Sequence, residues 1–176
     1  MKYGGNYGGA QEEGKGSGPA GLAAFFAPLL ETEEFAEGAA GYVLEVRRLL
    51  EAQAAWLAAL HGSTDQLRSL EQDVRNMEIA LDQGRPVDEV DAAFHLHVAE
   101  ASGNPLLARI MNGIFAVLDQ AVEPGRREMV RDHPKQRAFV EQHREILQGI
   151  REGDPERARQ AMYVHLSLVE REAGGS

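Results

Sequence analysis

The sequence predicts an all-α protein whose helices pack antiparallel as a bundle. Three observations predict it. Apolar residues recur at helical spacing from about Tyr42 onward, five helix-start signals divide the chain into segments of helical length, and no stretch reads as a strand. Most connections between the segments are short, so helices adjacent in sequence are expected to be neighbours in space.

Residues 1–21, MKYGGNYGGAQEEGKGSGPAG, are rich in glycine and lack periodicity, which reads as a disordered tail or linker. Residues 22–41 form a transition segment, with room for one short helix broken at Pro28. Helices are then expected near 38–61, 64–82, 86–102, 105–122, 134–152 and 155–172. Val43, Leu44, Leu50, Ala54 and Ala58 give the first its apolar face. Ser63 and Gln66 make a capping box for the second, each side chain satisfying a backbone donor the helix leaves open. Pro86, Pro105, Pro134 and Pro155 suit the first turn of the other four, where no amide donor is needed. Asn104 and Asp154 are good N-caps ahead of two of these prolines. The one long connection is the loop around EPGRREMVRD.

Composition narrows the function. With no cysteine among 176 residues, disulfides and thiolate metal sites are excluded, and any metal must use nitrogen and oxygen ligands. A formal charge of −10 argues against this chain gripping a nucleic-acid backbone by itself. The longest apolar run, LAAFFAPLL, is far shorter than the roughly 18–20 residues of a membrane span, and no basic region precedes it as in an export signal. A soluble, cytoplasmic protein without a membrane partner is expected.

Against this background, four polar residues stand where the helices should be oily. Successive residues turn about 100° around a helix, so faces follow from spacing. Asp91 and His95 share one face with Val87, Phe94, Val98 and Ser102, one turn apart. His143 sits in the middle of the stripe Phe139, Ile146, Leu147 and Ile150, and His165 in the stripe Ala158, Ala161, Met162, Leu168 and Val169. An unpaired polar group in a core costs on the order of 2–7 kcal/mol, so four such groups on three helices suggest a shared partner, and a divalent metal would satisfy them all. On this pattern alone, hydrogen-bonded core histidines remain the alternative. His97 falls on the opposite side from His95, His61 ends a helix where an imidazole complements the dipole, and His133 precedes Pro134 in a loop. In the first helix Arg47 and Glu51 intrude on the apolar face. Glu51 reads as an i,i+4 partner of Arg47 at its edge, and Arg47 as a guanidinium lining a pocket, suited to holding a carboxylate.

These residues carry a family resemblance. From Tyr42 to Glu172 the chain resembles the FCD domain, the all-helical ligand-sensing domain of GntR-type transcription regulators of the FadR subfamily. The matching pieces, in order, are LEVRRLLEAQAAWLAAL, STDQLRSLEQDVRNM, DAAFHLHVAEASGNPLL and EQHREILQGIREGDPERARQAMYVHLSLV. The resemblance implies a bundle of six or seven antiparallel helices, usually dimeric, around a buried metal and an effector pocket, with residues 42–173 as the ligand- and metal-binding domain. The family's metal-binding positions map onto Asp91, His95, His143 and His165, and its first-helix arginine onto Arg47. Asn104 matches the asparagine of the family's SGN turn and is assigned to capping. The implied cofactor is one divalent transition metal (Zn, Ni, Mn or Fe), with coordination positions open to a small carboxylate or sugar acid. A homodimer is expected. The family's winged helix-turn-helix cannot be drawn from the glycine-rich head, so DNA contact belongs to a separate domain.

Two other functions compete. A mononuclear metalloenzyme, using the three histidines and one aspartate on a small polar substrate, lacks a second actor: there is no His-Glu-x-x-His or Glu-x-x-His arrangement, and Glu100 lies on the wrong face to serve as a base. The other is a helical scaffold whose histidines are structural.

Overall fold

Residues 33–121 and 133–174 are described in the computed structural model, and they form six helices. These are α1 (Glu33–His61), α2 (Thr64–Asp82), α3 (Asp88–Ala101), α4 (Pro105–Ala121), α5 (His133–Arg151) and α6 (Pro155–Gly174). No strand occurs among the described residues, so the expected all-α class holds. The expectations for the glycine-rich head, for a break at Pro28 and for the loop around EPGRREMVRD lie outside the described residues.

Local chemistry sets most of the helix ends. The Ser63 hydroxyl accepts from the Gln66 amide at 3.3 Å while Gln66 Oε1 accepts from the Ser63 amide at 2.9 Å, completing the capping box. Gln66 Nε2 also donates to the Glu100 carbonyl at 3.1 Å, tying the start of α2 to the end of α3. Asn104 Oδ1 accepts from the amides of Leu106 and Leu107, and Asp154 Oδ1 from that of Arg157. Pro105 and Pro155 are the first residues of α4 and α6, where a missing amide costs nothing. After α5, Gly153 takes φ +65°, and the Asp154 amide returns to the Gly149 carbonyl at 3.0 Å. This left-handed turn closes the helix and reverses the chain into α6.

Three boundaries differ from expectation. α1 begins at Glu33 rather than near 38, and α5 includes His133, which the sequence placed in a loop. α3 begins at Asp88, with Val87 as a cap that makes no side-chain hydrogen bond, so Pro86 precedes the helix instead of opening it.

Packing is organised around α1, which lies against α6, α3, α4 and α5. Its alanines explain why one helix can have so many neighbours: Ala52, Ala54, Ala55 and Ala58 are all buried, and their small side chains let other helices come close. α2 packs on α3 and α5, and α5 on α6. Not every sequential pair packs side by side. α1 and α2, joined only by Gly62 and Ser63, share no extended contact. The core of Leu70, Met77, Phe94, Val98, Met111, Ile146, Met162 and Leu166 is almost entirely apolar. No helix among the described residues is long and apolar enough to cross a membrane.

Candidate metal centre

Among the described residues the core holds a cluster of buried ionisable side chains. Asp91 and His95 from α3, His143 from α5 and His165 from α6 are all buried, His143 completely. One donor atom from each lies within 4.8 Å of the others, so the four residues selected by helix face do converge and could hold a metal ion. Helical spacing explains the α3 pair: four residues make about one turn, which puts Asp91 and His95 on one side of the helix.

The three imidazoles share an orientation. His143 Nδ1 donates to the Phe139 carbonyl at 2.9 Å, and His165 Nδ1 to Gln142 Oε1 at 2.9 Å. His95 Nδ1 meets Glu51 Oε2, and apart from each other these two atoms have no partner. Each Nδ1 thus faces an oxygen that can only accept, which places its proton there and turns Nε2 inward. His143 Nε2 stands 3.0 Å and His95 Nε2 3.2 Å from Asp91 Oδ1. The Nε2 atoms of His95 and His165 are 3.3 Å apart. Two imidazole lone pairs cannot face each other at that distance without repulsion. Either a proton or a cation must lie between them. The donors are nitrogen and oxygen, as a divalent transition ion prefers.

Electrostatics shows how the cluster copes on protons alone. Burial pushes the His95 imidazole toward the neutral form, but the carboxylates of Glu51 and Asp91 lift it to about 9. Burial, with His143 and His95 close by, takes His165 well below the ordinary histidine range. Burial also works against charge on Asp91, yet His95 and His143 hold its carboxyl well below the usual carboxylate value. Glu51 is likewise held low, because Arg47 and His95 outweigh its burial. At neutral pH one proton therefore resides on His95, between Asp91 and His165.

Glu51 is the residue that sequence reasoning misjudged. Its pairing with Arg47 is real, with Nε donating to Oε1 at 2.5 Å, but the pair is not at the edge of a face. Arg47 is 2% and Glu51 1% exposed, and the second carboxylate oxygen reaches the cluster through His95. Spacing carried the signal: Glu51 lies one or two turns from Ala54, Ala55 and Ala58, on the same buried face. The Arg47 guanidinium also lies over the Phe115 ring, 4.5 Å from its centre. Among the described residues its only hydrogen bond is the one from Nε, so its two Nη groups are uncommitted there. Phe94 and Phe139 pack against His143 with ring centres 4.9 and 4.6 Å away, and Phe115 against His95 at 5.9 Å.

The other histidines stand apart. His97 Nδ1 contacts Asp73 Oδ2 at 2.6 Å, joining α3 to α2 away from the cluster. Burial raises the Asp73 carboxyl, and His97 pulls it only partly back. His61 is exposed at the end of α1, and the His133 side chain lies outside the described residues. Glu100 is exposed, and Asn104 serves as a cap, as expected.

Comparison with known proteins agrees with this architecture. Residues 42–168 match the FCD domain family. The chain is 34% identical over 128 residues to the Escherichia coli (strain K12) protein named for regulation of the L-lactate dehydrogenase operon, covering 72% of this chain and 48% of that protein. It is 32% identical over 130 residues to the HTH-type transcriptional regulator LutR of Bacillus subtilis (strain 168), covering 73% of this chain and 59% of LutR. The chain thus spans about half the length of the curated relatives it matches. Among solved structures, a Streptococcus agalactiae GntR superposes with a TM-score of 0.67 at 28% identity, covering 85% of this chain and 65% of that one. The chain belongs to the FCD domain family, the helical effector-binding domain of GntR-type transcription regulators.

Proposed function

We propose that this domain senses a small carboxylate or sugar acid through a buried divalent metal held by Asp91, His95, His143 and His165, with Arg47 as a second anchor for the acid. The observation that carries the reading is the shared orientation of the three imidazoles, each fixed at Nδ1 and offering Nε2 to one point beside Asp91. Bound there, the metal would supply a Lewis-acidic position for an oxygen of the ligand. Every other part of recognition falls to the protein. Arg47 is buried within reach of the cluster through Glu51, and its free Nη groups suit the two oxygens of a carboxylate. The name of the Escherichia coli relative, which refers to the metabolism of a small organic acid, supports the same ligand class.

Signalling follows from where the ligands sit. The four donors come from α3, α5 and α6, and Arg47 from α1, so an acid bound to both the metal and Arg47 would link four helices. It would bias the bundle toward one arrangement by its differential affinity for the two states. In a cytoplasmic homodimer this would alter the spacing of DNA-binding domains attached to the sensor. The role is regulatory, and no catalytic step is assigned. Calorimetry on zinc-loaded protein tests it: Arg47→Ala should keep the metal and weaken lactate binding about tenfold or more, the loss of roughly one charge-assisted hydrogen bond. Equal affinity in the variant would make Arg47 structural.

A further inference from the structure

Arg47, Glu51 and Asp91 are the charged side chains built into the core around the three imidazoles. Asp73, the remaining buried carboxylate among the described residues, is engaged by His97 on the far side of α3. Arg47 is also the only buried guanidinium or ammonium among the described residues. With Nδ1 protonated and Nε2 committed to a metal, each imidazole is neutral. A divalent ion and Arg47 then bring three positive charges, and Glu51 and Asp91 two negative ones. One positive charge is left in a buried cluster packed against the rings of Phe94, Phe115 and Phe139, where an uncompensated charge is costly.

Resting on the metal and carboxylate reading above, we propose that Glu51 sets the charge of the ligand, so that the loaded site takes a monoanionic carboxylic acid and rejects a dianionic one. Glu51 is fixed for this role. One oxygen is held by Arg47 Nε and the other by His95 Nδ1, and the side chain is fully buried. It cancels the charge of Arg47 without occupying the Nη groups, which remain free to recognise the shape of a carboxylate. A first ligand carboxylate neutralises the site. A second would face Glu51 and Asp91 with no further buried cation among the described residues, and like charges brought together in an interface are strongly disfavoured.

Malonate and its monomethyl ester, nearly equal in size but dianionic and monoanionic at neutral pH, test the proposal by calorimetry on the zinc-loaded protein. Zinc content is measured on the same samples. The wild-type protein should bind the monoester at least about tenfold more tightly, and Glu51→Gln, which keeps an acceptor oxygen for His95, should shift the ratio toward malonate by about tenfold or more. Tighter binding of malonate by the wild type overturns the proposal, and that comparison needs no variant to fold. An unchanged ratio in zinc-replete Glu51→Gln overturns it as well, leaving the carboxylate reading intact. Zinc-loaded protein that binds neither anion overturns the carboxylate reading, and protein that takes up no zinc overturns the metal reading; the inference falls with either.

Discussion

His95 meets Glu51 at Nδ1 and faces both Asp91 and His165 at Nε2. The proton it holds at neutral pH must leave before Nε2 can serve as a ligand. Zinc uptake at neutral pH should therefore release about one proton per ion, read from calorimetry in buffers of different ionisation enthalpy. Stability of the metal-free protein follows with a definite sign. The His95 value is raised from 6.5 to about 9, so its contribution is complete below 6.5 and is lost as pH rises through about 9. The metal-free melting temperature should fall across that window, whereas zinc-loaded protein, with the proton already displaced, should not show this fall. His143 makes a second residue-scale test. His143→Ala leaves Asp91 short of a buried partner, so metal content should drop and stability should fall by about 1–3 kcal/mol in a denaturant titration. Unchanged metal occupancy would remove His143 from the ligand set. At this scale the sequence disclosed Asp91, His95, His143 and His165, because a polar residue on an oily stripe can be seen without knowing the fold. Glu51 was harder, since an acid four residues from an arginine is most simply explained by that arginine.

The helices themselves were legible wherever an end depends on local chemistry. Ser63, Asn104, Asp154, Pro105 and Pro155 act within one turn, and the ends they mark were anticipated. The start of α3 was not, because Val87 caps it without a side-chain bond and the proline next to it proved to lie outside the helix. Packing between elements gives a separate test at Gly149. A Cβ there would come within 2.6 Å of the Ala158 backbone nitrogen and 2.8 Å of its Cα, so α5 and α6 meet backbone to backbone at this point. Gly149→Ala should cost about 1–3 kcal/mol by forcing the two helices apart. Because His143 and His165 ride on these two helices, the variant should also bind zinc less tightly. A variant as stable as the wild type would show that the close approach can relax.

For the molecule as a whole, sequence established the class and the order of the helices but not which helices would be neighbours. The short α1–α2 link implied side-by-side packing, whereas the alanine face of α1 draws in α6, α3, α4 and α5 instead. That choice depends on complementary surfaces of distant segments, and it is what brings Glu51 and Arg47 to histidines from other helices. The resulting arrangement is a helical core built around one polar cluster, in a domain family associated with transcription regulation. The proposed sensing role requires that the cluster hold a metal. Elemental analysis with native mass spectrometry, on protein purified without a metal-chelating column, tests this most directly. One divalent transition-metal ion per chain is expected in folded wild-type protein; folded protein with no stoichiometric divalent ion would show that Asp91, His95, His143 and His165 are a metal-free polar cluster.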